Sequence, residues 1–215
     1  MILGVIPARL NSTRFPSKVI FPLKGKPIIE HVYEKALQSN LLNKVIVAVD
    51  SEETKNVINC QNIIMTSDKH QSGTDRVAEV ANNFNCDIVV NIQGDEPGID
   101  PLLIDKLIQL FEDPDVEMAS IASTDLKEDD LNNDNVVKVN LDKENNAISF
   151  IRNNLNPEST YYRHIGIYAY RKNTLNLFTS LTQSDNEKNH RLEQLRALDN
   201  NIAIKLLISD FSHRS

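Results

Sequence analysis

The chain has 215 residues, of which 40% are hydrophobic and 25% charged, which is ordinary for a soluble globular protein. Its net charge of −7 argues against general nucleic-acid binding, and no apolar run approaches the roughly 20 residues that a membrane-spanning helix needs. The two cysteines form no CxxC motif, and the first residues lack the features of a signal peptide. We therefore expect a cytoplasmic chain with reduced thiols and no zinc site.

Cations are concentrated near the start of the chain. Residues 2–6 predict a short buried strand, and the loop that follows carries Arg9, Arg14 and Lys18. Arg can hold a phosphate through two parallel hydrogen bonds, and Lys supplies a point charge. The glycines of a Walker A or GxGxxG loop are missing, so the loop predicts side-chain binding of a small anion. An ordinary solvated basic loop remains the alternative.

A second stretch places carboxylates directly after a strand. The apolar residues 88–92 predict a buried strand, and Gly94, Asp95 and Glu96 follow shortly after it. Ligands of open parallel α/β sheets bind at the carboxyl ends of the strands, so Asp95 is a candidate ligand for a hard cation such as Mg²⁺. The alternative is a simple turn, because these residue types also end strands for ordinary reasons.

The rest of the first half alternates predicted strands and amphipathic helices. This pattern predicts a three-layer, mostly parallel, Rossmann-like α/β sheet with right-handed crossovers. The predicted features are a helix from Pro27 through Leu37, a strand Lys44–Val49, Ser51 as the cap of the next helix, a strand 62–65, a helix capped by Thr74 or Asp75, a helix 101–110 and a strand 117–122.

The pattern changes near residue 136. We expect an antiparallel excursion over residues 135–172, which leans over the sheet edge towards the acceptor substrate. It contains a hairpin of strands 136–141 and 147–151 and a strand 161–170, in which His164 and Tyr168 share a face. A helix 191–198 and a strand 202–208 follow, and residues 125–135 are expected to form a surface loop. We interpret residues 1–215 as one domain.

Several motifs then carry a family resemblance. They are IPAR at 6–9, STRFPSK at 12–18, GKP at 25–27, HVYE at 31–34, MTS at 65–67, HQSGTDR at 70–76, NIQGDEP at 91–97, HIGIYAYR at 164–171 and LEQLR at 192–196. With these motifs in this order, the chain resembles the 3-deoxy-manno-octulosonate (Kdo) cytidylyltransferases, or CMP-Kdo synthetases, along nearly its whole length.

The resemblance implies a nucleotidyltransferase reaction. CTP and Kdo would give CMP-Kdo and pyrophosphate with Mg²⁺ as cofactor, for lipopolysaccharide biosynthesis in the cytoplasm. The anomeric C2 hydroxyl of the sugar would attack the α-phosphorus, and pyrophosphate would leave in line. Positioning and charge neutralisation would then supply most of the catalysis. The resemblance also implies a nucleotidyltransferase fold and a homodimer. The net charge and the lack of a long apolar run lead us to expect no nucleic-acid or membrane partner.

The resemblance also implies roles for individual residues. The catalytic group would be Arg9, Arg14, Lys18 and Asp95, with Asp95 as the Mg²⁺ ligand. The nucleotide would contact Pro7, Ala8, Arg9, Lys18, Ser72, Gly73, Asp75 and Gln93. The sugar would contact Gln93, Arg152, His164, Tyr168, Glu193 and Gln194, with Arg152 pairing with its carboxylate. For His164 the alternative is a structural histidine that packs in the hydrophobic core with its hydrogen bonds satisfied inside the protein.

The chain departs from the family pattern in three places. The residues at 149–154 and His190 differ on the sugar side, so 8-amino-Kdo or a sialic-acid-like acceptor is an alternative. A family segment with a second metal-binding Asp would begin where this chain ends, so we expect a shortened and impaired enzyme. A sugar-activating relative of the spore-coat polysaccharide type and a nucleotide-binding protein without catalysis are the remaining alternatives.

Overall fold

The computed structural model describes residues 1–9 and 18–211. By its internal contacts the chain divides into two compact units, Met1–Ile108 and Gln109–Ser215. We describe each unit by itself, and the single domain 1–215 stays a prediction.

The first unit is an α/β unit. Its elements are β1 Ile2–Ala8, a 3₁₀ turn Lys18–Ile20, β2 Pro22–Leu23, β3 Lys26–Pro27, α1 Ile28–Ala36, β4 Lys44–Val49, α2 Glu52–Val57, β5 Ile63–Met65, α3 Gly73–Asn82, β6 Ile88–Asn91 and α4 Pro101–Gln109. The strands β6, β1, β4 and β5 lie side by side in that order, and all three pairs are parallel. The carboxyl ends of β1 and β6 are therefore neighbours.

The apolar runs of the sequence explain the core of this unit. Strands β1 and β4 are buried almost throughout, which is typical of parallel strands covered on both faces. Helix α1 buries one face, with Ile29, Val32 and Ala36 fully enclosed. The predicted strand Lys44–Val49 is confirmed at both ends.

Two helix caps were predicted, and one is confirmed. The Ser51 hydroxyl accepts a hydrogen bond from Thr54 N at 3.1 Å and caps α2. The prediction that Thr74 or Asp75 caps α3 is wrong, because the N-cap is Ser72. A capping box explains the difference: Ser72 Oγ accepts from Asp75 N at 3.1 Å, and the Asp75 carboxylate accepts from Ser72 N at 3.0 Å.

The second unit carries the antiparallel part of the fold. Its elements are a 3₁₀ turn Leu110–Glu112, β7 Met118–Ser123, α5 Glu128–Leu131, β8 Lys138–Leu141, β9 Ala147–Ile151, β10 Tyr162–Arg171, α6 Lys172–Ser180, α7 Asp185–His190, α8 Leu195–Asp199 and β11 Lys205–Ser209. Strand β7 pairs in parallel with β11 and antiparallel with β10. The hairpin prediction is confirmed, since β8 pairs antiparallel with β9 and β10.

Three predictions in this unit need correction. The helix predicted over 191–198 begins later, at Leu195, because Arg191 adopts a left-handed φ of 54° and ends α7. Helices α6 and α7 were not predicted. The predicted loop 125–135 contains the short helix α5. The predicted α/β class is confirmed: strands β6, β1, β4 and β5 pair in parallel in the first unit, and the second unit holds the antiparallel pairs of β10 with β7 and β8 and of β8 with β9.

Candidate active site

In the first unit two glycines of the predicted site motifs, Gly73 and Gly94, lie close to Pro7, near the end of β1. A Cβ atom on Gly94 would lie 3.0 Å from the Pro7 carbonyl oxygen, and one on Gly73 would lie 3.4 Å from Pro7 Cγ. The turn after β6 and the start of α3 therefore both approach the end of β1 closely. Only a residue without a side chain fits at position 94 without displacing its neighbours. Gln93, half-buried, lies in the same turn.

Lys18 and Asp95 form an ion pair at this edge. Lys18 Nζ lies 3.1 Å from Asp95 Oδ2, and the two side chains are 44% and 38% exposed. The pair brings together a predicted phosphate ligand and the predicted metal ligand, which are 77 residues apart in the chain. Because both groups keep much of their contact with water, their attraction is weak enough for a charged ligand to replace it.

The remaining cations of the loop lie nearby or outside the described residues. Arg9 follows β1 and is exposed, and its Nη1 donates to the Gln71 carbonyl at 3.4 Å. This contact places its guanidinium beside the loop that leads to Ser72. Ala8 is buried at the end of β1. The predicted phosphate ligand Arg14 lies outside the residues that the structure describes.

A buried arginine holds the loop before α3. Arg76 is 1% exposed, and its guanidinium donates to Asp50 Oδ2 at 3.1 Å, to Ser67 O at 3.2 Å and to the Thr66 hydroxyl. Burial lowers the pKa of Arg76, and the carboxylate of Asp50 opposes that change. These bonds tie α3 to the ends of β4 and β5. They fix where Ser72 and its capping box lie.

In the second unit, His164 lies on β10 among aromatic rings. Its ring centroid is 5.0 Å from that of Phe150, edge to face, and 5.5 Å from that of Tyr168. Its Nε2 is 2.9 Å from the Ser120 hydroxyl. Burial, with a further contribution from the positive charge of Arg152, lowers the pKa of His164 to about 3. The imidazole is therefore neutral at physiological pH.

Tyr168 is a second polar group of the same cluster. Its hydroxyl is buried and has no partner at hydrogen-bonding distance within the described residues. Burial raises the pKa of Tyr168 well above its ordinary value; the Glu193 carboxylate raises it further and the Ser120 hydroxyl opposes it. A buried hydroxyl of this kind is costly unless a ligand or water meets it. The structure thus brings His164 and Tyr168 together and places Glu193 close enough to influence the pKa of Tyr168; their role in binding a sugar stays a prediction.

Arg152 lies at the end of β9, where backbone contacts hold it. Its Nη1 donates to the Asp134 carbonyl at 2.8 Å, and its own carbonyl accepts from the Lys138 ammonium. Lys138 is fully buried and also donates to Asn133 O at 3.0 Å. The guanidinium remains half-buried and lies close enough to His164 to lower its pKa.

Glu193 and Gln194 precede α8 and do not lie inside a helix, contrary to the prediction. Gln194 is 7% exposed and serves as the N-cap position of α8. A buried ion pair supports this turn: Arg196 donates to both oxygens of Glu187, at 2.6 and 2.7 Å, and packs 4.8 Å from the Phe178 ring.

Comparison with known proteins identifies the family of this chain. A family model described as cytidylyltransferase matches residues 3–205. A 3-deoxy-manno-octulosonate cytidylyltransferase of Pelobacter propionicus is 39% identical over 98% of this chain and 90% of its own length. One of Thermodesulfovibrio yellowstonii is 40% identical over 96% and 89%. The chain belongs to the cytidylyltransferase family.

Two solved structures share this fold. A CMP:2-keto-3-deoxy-manno-octonic acid synthetase solved with CTP superposes with a TM-score of 0.90 at 35% identity, covering 97% of this chain and 89% of its own. A putative glucose-1-phosphate thymidylyltransferase from Bacillus anthracis, at 15% identity and a TM-score of 0.66, shares the fold alone; it covers 97% and 87%. The predicted family and enzyme class are confirmed.

The donor set of this cytidylyltransferase fits a magnesium ion at Asp95. Magnesium usually takes one or two carboxylates and completes its shell with water and substrate phosphates. Asp95 offers a half-exposed carboxylate at the carboxyl end of β6. Within residues 1–9 and 18–211, no group of three or more acidic, histidine or cysteine ligands is preassembled. The fit therefore depends on phosphate oxygens from the substrate.

Sequence patterns missed several residues that build these sites. The strand pattern at 117–122 predicts no role for Ser120, and local patterns predict none for Arg76, Lys138 or Glu187. One signal was available for Ser120, because it is a polar residue inside the apolar run 118–122.

In the described part of the chain, no helix combines the length and apolarity that crossing a membrane requires.

Proposed function

We propose that this cytidylyltransferase activates Kdo with CTP and releases pyrophosphate. One observation carries the proposal: over 98% of the chain it is 39% identical to an enzyme named for that reaction. The two polar clusters of the structure supply the groups that such a reaction needs. The cluster around Lys18 and Asp95 offers cations and a carboxylate at a strand end. The cluster around His164 and Tyr168 offers side chains that can bind hydroxyl and carboxylate groups.

The triphosphate is assigned to the cationic loop. Arg9, Arg14 and Lys18 neutralise its charge, and Lys18 exchanges its contact with Asp95 for phosphate oxygens. The weak, half-exposed Lys18–Asp95 pair supports this exchange. Release of Asp95 at the same moment frees its carboxylate for Mg²⁺. The metal, when bound, supplies positive charge to the phosphate oxygens.

Cytidine is assigned to the segment from Ser72 to Asp75, beside Pro7 and Ala8. The Asp75 carboxylate already accepts from Ser72 N, so we infer that recognition of the base uses mainly the rigid backbone of this segment. The close contact of Gly73 with Pro7 supports a narrow, preformed slot. A slot lined by fixed backbone groups can distinguish cytosine from uracil, whose hydrogen-bonding groups differ at the position of the exocyclic amine.

The sugar acid is assigned to Arg152, His164, Tyr168, Glu193 and Gln194, with Gln93 between sugar and nucleotide. Arg152 pairs with the sugar carboxylate. The buried Tyr168 hydroxyl, which lacks a partner at hydrogen-bonding distance within the described residues, supports a role in binding a sugar hydroxyl. The neutral imidazole of His164 can bind a second sugar hydroxyl without introducing a charge into the site.

The chemical step needs little covalent chemistry from the protein. The C2 hydroxyl oxygen of Kdo forms a bond to the α-phosphorus of CTP while its proton passes to solvent water, and the bond between the α-phosphorus and the bridging oxygen breaks. Negative charge develops on the leaving pyrophosphate, where Arg9, Arg14 and Lys18 stabilise it. Catalysis then consists of alignment of the two substrates and neutralisation of this charge.

We also propose a homodimer in the cytoplasm that supplies lipopolysaccharide biosynthesis. Exposed apolar side chains on the antiparallel part, such as Ile148 at 57%, support a protein interface there. Both cysteines are buried and form no disulfide in the part of the chain that the structure describes, which agrees with a reducing compartment. Light scattering on a size-exclusion column tests the dimer, and a monomer at micromolar concentration would contradict it.

Two binding experiments test the assignment of substrates. In thermal unfolding with Mg²⁺, CTP should raise the midpoint, whereas UTP and GTP at equal concentration should not. Kinetics with Kdo, 8-amino-Kdo and a sialic acid should then give the highest kcat/KM for Kdo. Stabilisation by UTP or GTP as strong as by CTP would contradict the nucleotide assignment, and preference for another sugar acid would contradict the assignment of Kdo.

A further inference from the structure

The Ser120 hydroxyl makes three hydrogen-bond contacts but has a single hydrogen to share, and it also lies close enough to Tyr168 to influence the pKa of that hydroxyl. It lies 2.9 Å from His164 Nε2, 2.9 Å from the Ile167 carbonyl and 3.2 Å from the Ile165 carbonyl. Ser120 itself is fully buried on β7. Both carbonyls can only accept hydrogen bonds, whereas a neutral imidazole nitrogen can either donate or accept.

This geometry determines which nitrogen of His164 carries its proton. If Ser120 donated to Nε2, its oxygen would face two carbonyl oxygens, at 2.9 and 3.2 Å, with no hydrogen between them. That arrangement brings three acceptor oxygens close together with no hydrogen between them, which is unfavourable. Ser120 therefore donates to the carbonyls, and Nε2–H of His164 donates to the Ser120 oxygen.

The strand irregularity of β10 creates this arrangement. The register between β10 and β7 shifts between Ile165 and Ala169, and Ser120 bonds the carbonyls of Ile165 and Ile167 inside that shifted stretch. Bulges of this kind re-aim side chains and are frequent beside active sites. The Phe150 ring packs against His164 and limits its rotation.

We propose that Ser120 is a positioning residue that holds His164 as the Nε2–H tautomer, so that Nδ1 accepts a hydrogen bond from a hydroxyl of the sugar acid. The proposal rests on the proposed function for the identity of that ligand. Two further observations agree with it. His164 is half-buried, and within the described residues no hydrogen bond to Nδ1 is found. The depressed pKa keeps the ring neutral, so one nitrogen always remains an acceptor.

The tautomer has a consequence for specificity. A histidine that presents only an acceptor binds a hydroxyl as donor and disfavours a ligand atom that is itself an acceptor, such as a carbonyl or ether oxygen. Without Ser120 the ring could place its proton on either nitrogen. Sugar binding would then weaken while nucleotide binding would not change.

The first test measures the tautomer directly. ¹⁵N NMR of histidine-labelled protein distinguishes protonated from unprotonated ring nitrogens, and it needs no substrate. The wild-type chain should show His164 with a protonated Nε2 and an unprotonated Nδ1 between pH 6 and 8. A protonated Nδ1 in the wild-type protein would overturn the proposal, whether or not any variant folds.

The second test uses Ser120→Ala with Ser123→Ala as a matched control. Ser123 is equally buried on β7, but its hydroxyl donates to the Phe211 carbonyl at 2.6 Å and does not contact His164. We expect Ser120→Ala to produce a mixture of His164 tautomers and to raise KM for Kdo roughly tenfold, with KM for CTP unchanged. Ser123→Ala should change neither quantity.

Other kinetic outcomes discriminate between the two proposals. An equal rise of both KM values in Ser120→Ala, or the same change in Ser123→Ala, would indicate a general structural role and overturn the positioning role. A wild-type chain that shows the Nε2–H tautomer but releases no pyrophosphate from CTP and Kdo would contradict the proposed function and still support the tautomer assignment.

Discussion

Lys18 Nζ lies 3.1 Å from Asp95 Oδ2, so a cation assigned to the triphosphate and a carboxylate assigned to the metal neutralise each other before substrate arrives. Neither partner is deeply buried, and exposed pairs of this kind contribute little to stability. The pair is therefore better explained as two binding groups held close together for their ligands than as an interaction that stabilises the fold. Entry of a phosphate together with its metal can satisfy both groups at once.

Replacement of Lys18 should impair catalysis more than folding. Lys18→Ala removes a positive charge that stabilises the leaving pyrophosphate, so we expect kcat/KM for CTP to fall on the order of 10²-fold. Its thermal midpoint should stay close to that of the wild type. Lys106→Ala, at an exposed position on α4, is the control and should change neither quantity. A Lys18→Ala enzyme with wild-type kinetics would contradict the assignment of Lys18 to the triphosphate.

Gly94 should not tolerate a side chain. A Cβ atom there would lie 3.0 Å from the Pro7 carbonyl and 3.4 Å from Ile6 Cγ2, so the two strand ends must separate. We expect Gly94→Ala to lower the free energy of unfolding by about 1–3 kcal/mol, measured by urea denaturation. Gly98→Ala is the control, because nothing lies within 4 Å of its added atom. Equal stability of the two variants would show that the approach of Pro7 to Gly94 is not tight.

The buried pair of Glu187 and Arg196 should contribute strongly to stability. Glu187→Ala removes the carboxylate that accepts two short hydrogen bonds from a guanidinium only 5% exposed. Loss of one partner of a buried pair costs roughly 3 kcal/mol or more, so the urea midpoint should fall markedly. Asp185→Ala on the same helix removes an exposed partner of Lys188 and should have little effect. Similar midpoints for both variants would contradict this difference.

Asp105 should make stability depend on pH. Burial alone would raise its pKa, but hydrogen bonds from Ser39, Asn40 and Leu41 outweigh that effect and hold the pKa below its ordinary value. The carboxylate therefore stabilises the fold above the unfolded pKa of about 4, and this stabilisation is lost as pH falls through the lower folded value. The unfolding free energy of the wild type should thus decrease more steeply below pH 4 than that of Asp105→Asn. Parallel pH profiles would contradict the assignment.

Much of the parallel part of the fold follows from local sequence pattern. The strand Lys44–Val49 is predicted at both ends because its apolar run, residues 45–49, is bounded by polar residues and is typical of a parallel strand covered on both faces. The cap of α3 was assigned two or three residues too late, because Ser72, Thr74 and Asp75 are all good capping residues. Only the reciprocal bonds between Ser72 and Asp75 distinguish them.

The second unit was harder to predict for a different reason. Arg191 takes a left-handed conformation that is uncommon for a residue with a side chain, so no local rule would end a helix there. The Ser120–His164 contact depends on the register shift between β7 and β10, which is set by pairing of distant residues. Local periodicity identifies the strands but does not fix that register.

Pyrophosphate release from CTP, Mg²⁺ and Kdo tests the central claim most directly, on the wild-type chain, on Asp95→Asn and on Asp115→Asn. Asp115 is an exposed carboxylate distant in sequence from the motif at 91–97, so it serves as the control. We expect release that requires both CTP and Kdo, a loss on the order of 10²-fold or more in Asp95→Asn, and no change in Asp115→Asn. Absence of release from the wild-type chain would contradict the proposed reaction. Wild-type rates in Asp95→Asn would contradict the role of Asp95 at the metal.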